Sequence, residues 1–256
     1  MKNEKQNNFQ KSISFILLFA VICGQVFSAQ TLRANGQTRK LERSNKQNQV
    51  NSEKRIALVI GNGNYQNATK LNNPTNDATD MAKTLRNLGF EVIGGEKDGL
   101  NLSQSQMEAL IGEFGRRLAE TKGVGLFYYA GHGVTSYGQN YLVPVDANIP
   151  DEDLVKYRAV PVGYVLDKMA TAKNSFNLVI LDACRNNPFA RSWRNFRDIG
   201  DSKGLANSNP PRGTLVLYAT QPGGISIDGV GNSKNGLFTQ ALLKQIKKPN
   251  LELDPL

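Results

Sequence analysis

The sequence predicts an α/β domain built on a mainly parallel sheet of about six strands, with helices on both faces. Three observations predict it. Leu178 to Leu181, inside FNLVILDACRNNP at 176–188, is a short apolar run rich in β-branched residues, as in a strand buried on both faces of a parallel sheet. Val124 to Ala130, VGLFYYA, is a second run of this kind. Between such runs lie stretches with helical periodicity, and alternating strand and helix is the pattern of a parallel sheet covered by crossover helices.

The elements follow in order. Ile56 to Ile60 reads as the first strand, and Gly61, Asn62, Gly63 and Asn64 as the turn after it. Pro74 and Thr75 open a helix through Leu88. Its apolar face is Ala78, Met81, Ala82, Leu85 and Leu88, and Gly89 stops it. Phe90 to Ile93 is a strand. Ser103 with Gln106 makes a capping box for a second helix, striped by Met107, Leu110, Ile111, Phe114 and Leu118. After the strand that ends at Gly131 come an extended piece at Tyr141 to Val145, a helix at about Val162 to Met169, and the strand that precedes Cys184. A long loop, a strand at Thr214 to Ala219 and a helix at about Gly236 to Ile246 complete the order. No internal repeat is present.

Composition bounds the function. Of 256 residues 39% are apolar, enough for a sizeable core. Residues 1–55 carry ten Lys or Arg against three Asp or Glu, so +7 of the +9 net charge lies there, and the remainder is nearly neutral at 21 against 19. No basic patch with interleaved aromatics appears in the core, so nucleic acid is not an expected partner. The turn at 61–64 lacks the GK[ST] of a phosphate loop and the third glycine of a dinucleotide fingerprint, which excludes those two nucleotide signatures.

Residues 1–28 read as a signal peptide. Lys2, Lys5 and Lys11 precede the apolar block Ile13 to Cys23, and small residues follow, with cleavage expected after Ser28 or Ala29. The block is shorter than the roughly 20 residues a membrane span needs, so no stable span is expected. Ile22 before Cys23 does not suit a lipoprotein site. The expectation is an exported protein, periplasmic or extracellular. Residues 29–54, rich in Gln, Asn, Lys and Arg, read as a disordered basic linker, and 55–256 as the globular domain. Cleavage would leave Cys184 as the sole cysteine, unable to join an internal disulfide.

The chemistry lies at two strand ends. His132, the chain's only histidine, follows the run 124–130, and Cys184 follows the run 178–181. The C-terminal edge of a parallel sheet is where such folds place their ligand crevices. A Cys and a His delivered there suit a thiolate nucleophile and its base. Taken alone, the cysteine reads as a core residue and the histidine as a turn residue; together they read as a dyad. His132 would promote the thiolate of Cys184 and later protonate the leaving amine. The N–H groups of Gly133 and Cys184 are the candidates for an oxyanion hole.

YAGHG at 129–133 and LDACRNNP at 181–188 resemble the caspase and metacaspase superfamily of cysteine peptidases, in which the His precedes the Cys by about fifty residues. The resemblance runs over roughly 55–248, including YATQPG at 218–223 and NGLFTQALL at 235–243. It implies a caspase-like three-layer sandwich and a cysteine endopeptidase acting on proteins or peptides. It also implies that Asp182 and Asp77 bind a basic P1 side chain, giving cleavage after Arg or Lys. Asp228 falls near where true caspases carry an arginine that grips a P1 aspartate. Read without the resemblance, Asp77 complements a helix dipole and Asp228 is a turn residue.

There are departures from the family's pattern. Ala130 stands where many metacaspases have Ser. Asp146 matches one calcium ligand, but Tyr157, Arg158 and Arg191 occupy neighbourhoods where more acids are expected. No cofactor is therefore expected, and calcium activation is an alternative that the acidic pattern does not support. The chain stops at Leu256, before the final segments such domains usually have, which reads as a truncated product. The loop 185–212, with Arg191, Arg194, Arg197, Lys203 and Arg212, is an expected self-cleavage site. Two other readings stand beside the peptidase. One is a catalytically silent caspase-like interaction module, and the other a flavodoxin-like domain, which would need a phosphate-cradling loop that is missing.

Overall fold

The structure, a computed structural model, describes residues 54–184, 188–189, 193, 210–219 and 233–247, with Cys184 described by its backbone. The expected leader and, apart from residue 54, the linker lie outside these residues. So do Asp228 and most of the loop 185–212.

Strands β1 (Arg55–Gly61), β2 (Glu91–Gly94), β3 (Val124–Ser136), β6 (Phe176–Cys184) and β7 (Thr214–Tyr218) pair in parallel in the order β2-β1-β3-β6-β7. Two short strands, β4 (Gln139–Leu142) and β5 (Val160–Pro161), pair antiparallel beyond the end of β1, against the C-terminal part of β3 and against each other, giving seven in all. Five helices complete the described fold: α1 (Pro74–Asn87), α2 (Gln104–Thr121), the single turn α3 (Val155–Arg158), α4 (Val162–Thr171) and α5 (Leu237–Gln245). Among the described residues, no helix is long and apolar enough to cross a membrane.

Strand alternation sorts the core into two layers. Ile56, Leu58 and Ile60 of β1, Phe127 and Tyr129 of β3, and Val179 and Leu181 of β6 pack with α2 and α4. The residues between them, Ala57, Val59, Leu126, Tyr128, Ala130, Leu178 and Ile180, pack with α1 and α5. The result is a three-layer sandwich whose inner strands are apolar on both sides. Fully burying one such aliphatic side chain contributes about 1.5–3 kcal/mol.

Most element boundaries agree with the sequence reading. The capping box is present: Gln106 N donates to Ser103 Oγ at 3.4 Å, and Ser103 N donates to Gln106 Oε1 at 2.9 Å. Two boundaries differ, and both matter. β3 does not end at Gly131 but runs on through His132 to Ser136, because β4 supplies new antiparallel partners where β1 stops. β6 likewise continues through Cys184, still paired with β3. The loop after Cys184 also differs from a wholly exposed segment. Phe189 and Trp193 are buried in a third apolar cluster with Tyr65, Val134 and Val143, and Trp193 Nε1 donates to Ile149 O at 2.9 Å.

Chain direction explains where a crevice opens. β1 connects through α1 outward to β2, whereas β3 leads the other way to β6, so the connections diverge between the neighbours β1 and β3. Ligands bind at such switch points. Asn62, fully buried just past β1, holds this junction together. Its N–H donates to Ala130 O at 2.9 Å, its Oδ1 accepts from Leu102 N at 2.9 Å, and its Nδ2 donates to Val143 O at 3.2 Å. Asn62→Ala should strand the buried Leu102 N–H and lower stability by about 1–3 kcal/mol. A urea melt with an unchanged midpoint would show that the junction is held elsewhere.

Candidate active site

His132 stands in register with Cys184 across the parallel pair β3–β6, the last of nine paired positions that begin at Val124 and Phe176. The two residues that the sequence singles out are thus lateral neighbours at the sheet edge. His132 is only 6% exposed, so it is a strand residue inside the fold and not a turn residue.

Its imidazole is oriented from the β1–α1 connection. Nε2 lies 2.7 Å from Thr69 O, and a carbonyl can only accept, so Nε2 carries the proton. In the neutral ring Nδ1 is then the basic nitrogen. The Tyr65 ring packs at 4.5 Å between centroids, tilted by 43°.

The backbone of His132 is held by a closed ring of hydrogen bonds. Its N–H donates to Tyr65 Oη at 2.7 Å, and its carbonyl accepts from Tyr129 Oη at 2.9 Å. Tyr129 Oη also reaches Val143 O at 3.1 Å, so its proton is committed to carbonyls. The contact of 3.3 Å between the two hydroxyls is therefore donated by Tyr65. Burial, then the neighbouring Tyr65, push the Tyr129 phenol well above its ordinary range and keep it a donor. Gly131 makes the ring sterically feasible. Its φ is 152°, and an added Cβ would come within 2.6 Å of Tyr65 Oη and 2.7 Å of Tyr129 Oη.

Gly133 pairs with Leu142 in β4, next to the bonded pair formed where Val143 N donates to His132 O at 3.0 Å. Antiparallel alternation makes Gly133–Leu142 the non-bonded pair, so the Gly133 N–H turns away from β4, toward the β6 side.

The acidic residues converge as well. Asp182 and Asp77 come from β6 and from the first turn of α1, and they are 9% and 3% exposed. Both meet the first turn of α5. Gly236 N donates to Asp77 Oδ1 at 3.0 Å, and Thr239 Oγ1 donates to Asp182 Oδ2 at 2.6 Å. A Cβ at Gly236 would stand 3.2 Å from Asp77 Oδ2 and 3.7 Å from Asp182 Oδ2. Asp77 lies near the N-termini of two helices and Asp182 near that of α5, a placement that favours the ionised carboxylates. Asp77 therefore does more than complement its own helix. The segment before α5 is tied to α1: Asn76 Nδ2 donates to Lys234 O at 3.1 Å, Lys234 Nζ pairs with Asp80 at 2.8 Å, and Asn235 Nδ2 donates to Asp80 at 3.1 Å. Burial raises the Asp80 pKa, but its bonds to Lys234 and Asn235 and the charges of Lys234 and Lys83 outweigh this and hold it below the ordinary value.

Asp228 lies outside the described residues. Asp146 has a structural contact, accepting from Gln104 N at 3.1 Å at the start of α2. Among the described residues, no group of three or more His, Cys, Asp or Glu side chains is arranged to hold a metal ion. Sequence reasoning missed Tyr65, Thr69, Tyr128, Tyr129 and Thr239 as site residues. Tyr129 does lie in YAGHG at 129–133, and Gly236 and Thr239 in the run 235–243, the stretches that carry the resemblance.

Comparison with known proteins bears on the family. A family profile described as the caspase domain matches residues 54–256. The Homo sapiens protein named mucosa-associated lymphoid tissue lymphoma translocation protein 1 is 36% identical over 209 residues, covering 78% of this chain and 23% of that protein. Its Mus musculus homolog is 34% identical over 209 residues, with the same coverage of 78% and 23%. A protein of a Desulfuromonadales bacterium named "probable protease" is 27% identical over 220 residues, covering 75% of this chain and 26% of its own length. The chain spans about a quarter of the length of these curated relatives. With the profile covering the whole described fold, this chain belongs to the caspase-domain family of cysteine peptidases.

Proposed function

We propose that the chain is a cysteine endopeptidase that cleaves proteins or peptides after Arg or Lys, using His132 and Cys184. One observation carries the reading. Asp77 and Asp182 converge on the first turn of α5, and Asp182 lies two residues before Cys184, which is in register with His132. A basic P1 side chain seated on the two carboxylates puts its scissile carbonyl at the strand edge that bears the dyad. The acidic pair attracts a guanidinium or ammonium and repels a P1 carboxylate.

In this mechanism His132 Nδ1 takes the thiol proton of Cys184, while Nε2–H stays bonded to Thr69 O and stabilises the imidazolium. The thiolate attacks the carbonyl carbon, and the N–H groups of Gly133 and Cys184 receive the oxyanion. Collapse breaks the C–N bond, and the amine leaves with the proton from Nδ1. Water then attacks the thioester, giving its proton to His132 and releasing the acid and the thiol. Fixing the His132 peptide on both sides by Tyr65 and Tyr129 lets the ring change protonation state without losing its place.

Cys184→Ala and His132→Ala should each lower kcat/KM on a P1-Arg fluorogenic peptide by roughly a thousandfold or more, with similar residual rates. The wild type should be cut within 185–212 while Cys184→Ala stays intact on a gel. A wild type with no turnover and a thiol as slow as free cysteine toward iodoacetamide would favour the catalytically silent module instead.

Gly236→Ala probes the pocket separately. The Gly236 φ of −59° is open to alanine, and the added methyl would crowd the Asp77 carboxylate at 3.2 Å while only touching that of Asp182 at 3.7 Å. We expect a rise in KM for P1-Arg and P1-Lys substrates of roughly tenfold at a near-normal rate of Cys184 alkylation. An unchanged KM would remove Asp77 from the P1 pocket.

We further propose export, on the strength of the basic, apolar and small-residue succession in residues 1–29. N-terminal sequencing should find the mature chain starting at Ala29 or Gln30 outside the cytoplasm. Intact Met1 on cytosolic protein would overturn this.

A further inference from the structure

We infer that Thr239 and Tyr128 are specificity-positioning residues, which fix the orientation of the Asp182 carboxylate and thereby favour Arg over Lys at P1. The inference rests on the P1 reading above and goes beyond it. Thr239 is fully buried in the first turn of α5, and its Oγ1 has two close hydroxyl or carboxylate neighbours. Asp182 Oδ2 is 2.6 Å away, and Tyr128 Oη is 2.5 Å away on the other side.

The direction of this chain follows from proton counting. Thr239 has one proton, an ionised carboxylate can only accept it, and so Tyr128 must donate its own proton to Thr239. Tyr128 keeps that proton: burial first, then the charges of Asp182 and Asp77, push its phenol well above the ordinary range. The order is Tyr128 to Thr239 to Asp182. Each donor is rotationally fixed by the next, and Tyr128 and Thr239 are fully buried, where such chains gain strength.

One helical turn thus serves both carboxylates. Its backbone, through the Gly236 N–H, fixes Asp77, and its side chain, through Thr239, fixes Asp182. The bond to Oδ2 stops rotation of the Asp182 carboxylate, so the direction of its other oxygen is set as well. That matters unequally for the two basic side chains. A guanidinium is a planar fork whose paired bonds demand a set carboxylate plane, whereas an ammonium is a point charge with rotatable donors.

The test measures P1-Arg and P1-Lys peptides on wild type, Thr239→Val, Thr239→Ser and Tyr128→Phe, together with the rate of Cys184 alkylation. Thr239→Val keeps the volume and removes the donor. It should raise KM for P1-Arg by about tenfold, raise KM for P1-Lys less, and leave kcat and alkylation within about twofold. Thr239→Ser should restore the Arg preference. Tyr128→Phe should move the Arg-to-Lys ratio in the same direction by a smaller factor, and it keeps the test decisive if Thr239→Val fails to fold. An unchanged Arg-to-Lys ratio in the folded variants overturns the positioning role, as does an equal loss on both substrates that serine does not rescue. A wild type that prefers neither Arg nor Lys would instead defeat the P1 reading itself, whatever Thr239 does.

Discussion

The parallel register between β3 and β6 is the constraint on which the rest of the site depends. It is set far from the chemistry, by apolar pairs such as Leu126 with Leu178 and Tyr128 with Ile180, and it ends by placing His132 beside Cys184. Slipping either strand by one residue would exchange the side chains that face the two helical layers, so those shaped for one layer would meet the other. With α1 and α5 packed on one face and α2 and α4 on the other, that slip is prohibitive. The core thus sets His132 and Cys184 side by side through backbone register.

A second constraint is electrostatic. Two carboxylates in a largely buried site repel each other and resist desolvation. The fold offsets this with the first turn of α5, which brings a backbone N–H to Asp77 and a hydroxyl to Asp182. That turn is in turn anchored to α1 through Asn76, Asp80, Lys234 and Asn235. Because α1 also carries Asp77, one helix supplies an acid and braces the element that tunes it. The arrangement links the two acids of the proposed P1 pocket to a contact between helices distant in sequence.

The continuation of β3 beyond Gly131 has a related logic. At the switch point β1 has ended, and the β3 backbone would lose its partner on that side. Asn62, β4 and the two tyrosine hydroxyls take over, so His132 sits in fully bonded backbone and not at a loose turn. A histidine held this way would need little reorganisation in the proposed reaction. The same geometry accounts for Gly131, since two hydroxyls occupy the space of its missing side chain.

The sequence by itself determined the alternating α/β order, the apolar runs that become β3 and β6, the capping box at Ser103, and the presence of one His and one Cys just after those two runs. These are local properties: periodicity, capping chemistry and burial by type are written into short windows of residues. Asp182 stands in such a window, but a substrate role for Asp182 and for Asp77 alike came only from a family resemblance. Only the tertiary structure decided that both strands run through the dyad residues, that Tyr65 and Tyr129 close a ring on the His132 peptide, and that Thr239 meets Asp182. Those contacts join residues 57 to 67 positions apart, or lie where one strand's partner is exchanged for another's. Nothing in a hydroxyl's local sequence says which distant acceptor it will meet, because packing of whole elements fixes that choice.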